Sequence, residues 1–499
     1  MTKYDHIVVG GGVSGLTAAL LSALNGRKVL VLEKAPVLGG SLARFRRQGI
    51  PFDTGVHFTG GLLPGALFHR MLSVLGLADA VVPEFLSNER AHRFVFESES
   101  RLFEMPCGIR PLRSKLKAEF PGESSAIDRY FDLIDKVCVQ TASMDVTRLA
   151  ESAHRLDEES ISLKSVLDGL TNNALLKGVL CGLGMCYGVK PSEVSFAAHS
   201  RVCYDLYEST ARFRGGGDAL VAAFRQAFEA TGVEVRCNAR IIECRLDEKD
   251  LVERFVLEDG EEVSAEATIL TIHPRHILKM MPRKPLSRAF VDRVESFEAS
   301  AGFFTVYGEL QGQGNADFGS SIVSLFPTTD FEQLLDPAYG GEPALVICGN
   351  VETVNGTPRR VVTAFEPSFF EHVAPWVDSR VGDRPAGYAA YKAKRVAAIR
   401  GHLRRYDPDF AGQFKLLDAA SMLTFRDYLN SPDGSAYGIK QKVGQYNLIG
   451  RLPIRNLFAA GQSALLPGIA GAMMSSFIVS RGVLGKDNFN RFVGERLCR

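Results

Sequence analysis

A short, mostly apolar run from Tyr4 to Val9 stops at three consecutive glycines, Gly10 to Gly12. A β-rich run closed by glycine predicts a strand and a turn. Residues 16–24 are apolar and rich in Ala and Leu, which predicts a buried helix, and residues 28–32 predict a second buried strand. In mid-chain, residues 219–231 predict a helix with Asp218 as its N-cap. Strands follow at 233–236, 240–246 and 251–257, then an Asp259-Gly260 turn and a strand at 267–272. Towards the C-terminus, residues 455–460 form a short strand ending at Gly461, and small apolar residues from Gly468 onward begin a helix. The greasiest stretch, residues 174–189, is interrupted by glycine and too short to cross a bilayer, so it predicts a buried helix.

The 499 residues, 46% of them hydrophobic, suffice for more than one packed subdomain. A formal net charge of +1 leaves no general basic footprint and excludes nucleic acid as an expected partner. Nine cysteines are scattered along the chain, and the spacing of Cys181 and Cys186 fits no common zinc or haem motif. No metal site is therefore expected, and reduced thiols point to the cytoplasm. The first strand begins at once, without a basic leader or a cleavage site.

The chemistry starts where the first strand meets the first helix. Gly10, Gly12 and Gly15 have the Gly-x-Gly-x-x-Gly spacing, with Val13 and Ser14 opening the helix. In that pattern the first glycine permits the turn, the second lets backbone approach a pyrophosphate, and the third lets helix and strand pack closely. The helix N-terminus adds free N–H groups and the positive end of its dipole. Glu33, at the end of the second strand and 18 residues after Gly15, is placed for a ribose hydroxyl.

Lys34 and the Gly39-Gly40-Ser41 segment follow, then Phe52 to His57 with Gly55 and Val56 at its centre. These segments resemble the second glycine pair and the Asp-x-Gly element of FAD-dependent enzymes related to amine oxidases and phytoene desaturases. Ser41 stands where that family usually has Arg, with Arg44, Arg46 and Arg47 nearby. The strand ending at Gly461-Gln462 and the helix opening Gly468-Ile469-Ala470 resemble the segment that reaches the flavin ring and ribityl chain. Gln462 replaces the family's frequent acid. By the same resemblance Val235 lies beside the adenine. The stretches Pro191 to His199, Phe213 to Gly216, Leu423 to Leu429 and Asp433 to Gly438 narrow the likeness to retinol saturases and their bacterial relatives, within the group that includes phytoene desaturases and carotenoid isomerases.

The resemblance implies an α/β fold: a discontinuous Rossmann-type FAD-binding domain, residues 1–90, 205–275 and 415–499, with an inserted α+β substrate domain, residues 91–204 and 276–414. It implies FAD and hydride chemistry on carbon–carbon bonds of an apolar isoprenoid or polyene, as saturase, desaturase or redox-neutral isomerase. His57 and Tyr428 are the candidate catalytic residues, Tyr437 a second channel candidate, and Glu193 and His199 lie at the domain edge. With no second dinucleotide motif, the electron donor or acceptor stays open. An insoluble substrate implies peripheral membrane contact, expected through residues 58–77 and 174–187. Two rivals share the fold: a flavin amine oxidase, which would use an aromatic cage although the sole tryptophan is Trp376, and a flavin-free escort module for prenylated proteins, against which the intact glycine motif stands.

Overall fold

The computed structural model describes residues 2–151, 156–312 and 317–498. Two sheets organise them. The first has eight strands. Thr2–Val9 lies at its centre, parallel to Glu262–Leu270 on one side and to Val29–Leu32 on the other. Glu234–Arg236 extends the parallel set beyond Val29–Leu32. Val29–Leu32 is buried along its whole length, as a parallel strand covered on both faces must be. The helices Val13–Leu24, Gly216–Thr231 and Gly468–Leu484 share a core with one face of this sheet.

The second sheet has seven strands. Gly302–Leu310 pairs antiparallel with both Thr357–Ser368 and Phe414–Ala420, and Leu345–Val354 continues beyond Thr357–Ser368. Ile322–Phe326 and His92–Phe96 form its one parallel pair among the described strands. Period-two alternation splits its side chains. Phe365 joins a core with the helices Ser124–Gln140 and Phe196–Glu208, while Ala364 and Phe304 pack beneath Ala386–Tyr406 on the other face.

The expected α/β architecture is present, but its seams lie elsewhere. Phe414–Ala420 belongs to the second sheet, so the last cofactor segment begins after it. Residues 276–297 pack on the first sheet, through Ile277, Leu278, Phe290 and Val294, and not in the substrate domain. Leu206 and Tyr207 share the substrate-domain core, which moves that seam to the end of Phe196–Glu208. Asp218 is not an N-cap. The helix begins at Gly216, and the Asp218 carboxylate accepts from the Arg44 backbone N–H at 3.0 Å.

Candidate functional site

The glycine loop is assembled by contacts that exclude side chains. A Cβ on Gly15 would lie 1.8 Å from the Gly10 carbonyl oxygen, so this close approach of helix and strand admits glycine alone. A Cβ on Gly12 would meet nothing within 4 Å: the backbone there borders open space at a helix N-terminus. The second glycine pair docks on this loop, with Gly39 N–H donating to the Gly11 carbonyl at 2.8 Å and Gly40 against Gly12. Glu33 braces both, accepting from Gly11 N–H at 2.5 Å and from Ala35 N–H at 2.7 Å. Ser14 joins the N-terminal helix to the C-terminal one through Ser476, Oγ to Oγ 2.6 Å. That contact packs the start of the first helix against the middle of Gly468–Leu484. Gly461 N–H donates to Ser475 Oγ at 2.8 Å, and the Gln462 amide donates to the Ala436 carbonyl at 3.4 Å.

Val235 pairs with Val31 beside the Glu33 strand end. Ser41 packs against Gly55, whose Cβ would lie 3.0 Å from the serine Cβ. Lys34 is exposed and donates to Asn430 Oδ1 at 2.8 Å. Two helix N-termini, an acid at a strand end and open space at Gly12 fit a flavin adenine dinucleotide laid across the first sheet.

The arginines after the glycine pair have other work. Arg44 pairs with Asp53 at 3.3 Å and Glu352 at 2.5 Å, and donates to the Gly215 carbonyl at 2.9 Å. Arg46 donates to the Gly49 carbonyl at 3.0 Å, and Arg47 pairs with Asp418 at 2.5 Å. Arg44 thus ties the cofactor domain to the second sheet. Burial pushes the Asp53 carboxyl up, opposed by Arg44 and the Gly217 N–H.

Between the domains lies a cleft of about 410 Å³ lined by Val56, His57, Arg212, Gly216, Asn350 and Glu352, among others. His57 stands at its inner wall. Burial, assisted by the charge of Arg212, pushes its imidazole down to about 4, so it is neutral near pH 7. From His57 a row of rings runs along the second sheet: His57 on Phe365 at 5.1 Å, Phe365 on Phe303 at 5.0 Å, and Phe303 on Tyr437 at 6.2 Å. Tyr437 is followed by Gly438, whose Cβ would sit 2.2 Å from Ser463 Oγ, so the row ends at the turn after Gly461. A small apolar recess lined by Tyr187, Val194, Tyr437, Ile439 and Pro467 continues from that end.

Several expected positions fall elsewhere. Tyr428 is 67% exposed on Met422–Leu429 and is not brought to the cleft; Tyr437 ends the ring row and lines the small recess. His199 is fully buried between Tyr130 at 2.7 Å and Tyr187 at 3.0 Å, and burial holds it down to about 3. Glu193 pairs with Lys440 at 3.0 Å. Trp376 packs on Tyr388 and Tyr391, away from the row. Most side chains of 58–77 and 174–187 point into cores, Phe68, Met71, Leu176 and Leu180 among them, so neither stretch supplies the expected apolar surface. Among the described residues no helix is long and apolar enough to cross a membrane. Sequence reasoning missed Arg212 and Phe365. Arg212 had a faint signal, two arginines just ahead of a glycine run; Phe365 had none.

Residues 13–306 match the family described as flavin containing amine oxidoreductase. The chain is 24% identical to all-trans-retinol 13,14-reductase of Danio rerio, over 97% of this chain and 86% of that one. It is 30% identical to the chloroplastic prolycopene isomerase of Daucus carota, over 30% of this chain and 24% of that one. The solved structure of wild-type putrescine oxidase bound to putrescine superposes with a TM-score of 0.65 at 16% identity, covering 97% of this chain and 98% of that one, a likeness of fold.

Proposed function

The chain belongs to the flavin containing amine oxidoreductase family, and from that premise we propose that it is an FAD-dependent oxidoreductase that adds hydrogen across a carbon–carbon double bond of a long apolar polyene of retinoid or carotenoid type. The observation that carries the reading is the row His57–Phe365–Phe303–Tyr437, a wall of ring faces and edges beside the flavin segments. Such a wall suits a flat, conjugated chain, whose binding energy comes from buried apolar area and ring contacts. Support for saturation comes from relatives named as retinol reductases, which align over nearly the whole chain, whereas those named as prolycopene isomerases align over less than a third. Desaturation and isomerisation would use the same wall.

In the bound state the N–H groups at Gly12 to Ser14 would meet the pyrophosphate, Glu33 a ribose hydroxyl, Val235 the adenine through its backbone, and Gly468 to Ala470 the ring system. Gln462 and Ser41 would border the ribityl chain and the ring. With the three nearby arginines engaged elsewhere, the helix N–H groups are the donors that would hold the pyrophosphate. Bound flavin supplies hydride exchange at N5.

The protein's own residues then position the chain and move one proton. Phe365, Phe303 and Tyr437 hold the polyene against the flavin segments and keep water from the apolar end. His57 stands where the row meets the polar cleft. Its neutral imidazole offers one N–H donor and one acceptor. It passes a proton from cleft water to the carbon that gains electron density as its neighbour receives hydride, while its other nitrogen takes one back. An external reductant restores the electrons. An insoluble substrate is drawn from a bilayer, so the protein sits peripherally on a membrane.

Turnover of a retinoid or carotenoid in heavy water, with a chemical reductant, tests the reading. The expected product has one double bond fewer and carries two carbon-bound deuteriums, one by way of flavin N5, which a chemical reductant loads with solvent hydrogen, and one by way of the His57 relay. Unchanged polyene together with oxidation of an amine would overturn it.

A further inference from the structure

Arg212 is the middle residue of Ala211–Phe213, a strand held by Pro83–Phe85 on one side and by paired backbone bonds of 2.9 Å between Thr59 and Ala211. Ala211 and Phe213 are buried in the first domain's core, so alternation turns Arg212 the other way, into the cleft it shares with His57.

The carboxylates lining this cleft are each ion-paired with an arginine other than Arg212. Glu84 is paired with Arg214 at 3.0 Å. Glu352 and Asp53 are both taken by Arg44. The Arg212 guanidinium makes one bond, from Nη2 to the Gly319 carbonyl, and among the described residues no carboxylate pairs with it and neither Nε nor Nη1 has a partner. Burial costs it hydration, which also lowers its pKa from the usual arginine value. A half-buried guanidinium with spare donors, on which Glu84 and Asp53 act only from beyond ion-pair distance, is a poor structural clasp and a good receptor, and its planar fork matches a carboxylate.

We propose that Arg212 anchors a carboxylate at the end of the substrate chain, so that the protein selects acid-terminated apolar chains over alcohols and hydrocarbons. This rests on the reading of the ring row as the wall for the apolar chain. A carboxylate at Arg212 lies in the same cleft as His57, and the chain attached to it enters the row at Phe365 and runs towards Tyr437. Asn350, also in the lining, already gives its amide to Glu352 at 2.6 Å, and its remaining side-chain oxygen is an acceptor that has no attraction for an anion. Arg212 is therefore the group that discriminates by charge.

The test is a binding series on the oxidised FAD holoenzyme, read by perturbation of the flavin absorbance, with all-trans-retinoic acid, all-trans-retinol, the matching hydrocarbon, and palmitic acid. The acid is expected to bind at least tenfold tighter than the alcohol, with an advantage that shrinks as salt rises. Arg212→Gln is expected to bring the acid down to the alcohol's affinity and leave the alcohol unchanged, while Arg212→Lys keeps most of the preference. If palmitic acid binds with the same dependence on Arg212 but no polyene is reduced, the anchor stands and the polyene chemistry fails. If polyenes are reduced with equal KM whatever the head group, in wild type and in Arg212→Gln alike, the function stands and the anchor is overturned. Equal weakening of acid and alcohol by Arg212→Gln would also overturn it, because that is the signature of a clasp to Gly319.

Discussion

The imidazole of His57 stacks on the ring of Phe365 at 5.1 Å between centroids and 24° between planes. One residue comes from the loop after the Asp53-x-Gly55 element and the other from the strand Thr357–Ser368 of the second sheet. The contact places the polar cleft next to the apolar row and joins a neutral, proton-carrying ring to the wall for the chain.

Shortening that wall should weaken substrate binding before it weakens the fold. Phe303 is half-buried, and Phe303→Leu removes its edge contacts with Phe365 and Tyr437 while keeping an apolar side chain. The expected result is a rise in KM of roughly three- to tenfold, the scale of lost aromatic pairing. Steady-state kinetics together with a melting curve close to wild type would check it.

The two glycines of the loop should fail differently. Gly12→Ala puts a methyl group into space that the chain leaves open, so the protein should fold with a melting temperature near the wild-type apoprotein and be purified without flavin colour. Gly15→Ala forces the helix off the strand, because its methyl group overlaps the Gly10 carbonyl, and should cost both flavin and stability. The flavin-to-protein absorbance ratio and thermal melts of the two variants separate these outcomes.

The His199 network is a structural lock. Its two nitrogens bond the Tyr130 and Tyr187 hydroxyls, and Tyr130 also bonds Tyr207 at 2.9 Å, all in a buried core. His199→Phe strands buried hydroxyls and should cost about 2–4 kcal/mol of stability, several degrees of melting temperature. Flavin content per folded molecule should stay unchanged.

Acid should destabilise the protein early. Burial holds His6 and His57 down to about 4, and His92 and His199 down to about 3. Each folded value lies below the unfolded value of about 6.5. The unfolded chain therefore binds protons first, and stability falls as pH drops from about 6.5 towards 4, with no contribution from these groups above that window. Melting temperatures across that window should fall steeply. His92→Gln, which keeps a partner for Thr210, should make the fall shallower.

The cofactor half was legible because its signals are local: strand, glycine loop, helix and acid follow one another within thirty-three residues. The ring row was not, since His57, Phe303, Phe365 and Tyr437 meet through the pairing of Gly302–Leu310 with Thr357–Ser368, a register that no short pattern encodes. Tyr428 and Tyr437 looked alike as aromatics ahead of the last strand; one falls on the open side of a helix and the other beneath the turn at Gly438. The seam at residues 276–297 was misread because its helices follow a cofactor strand directly, and the apolar positions Ile277 and Val294 choose that sheet's outer face. Arg44 sits close to the family's usual phosphate arginine in sequence, but the nearby carboxylates of Asp53 and Glu352 hold it at the domain seam.

The most direct test is a single anaerobic turnover. The holoenzyme is reduced, mixed with a retinoid or carotenoid in detergent, and followed at the flavin and polyene bands together. The expected result is flavin reoxidation in step with a shift of the polyene band to the blue, one flavin per double bond lost. Flavin that stays reduced beside an unchanged polyene, in an enzyme whose oxidised form is instead bleached by an amine, would contradict the account.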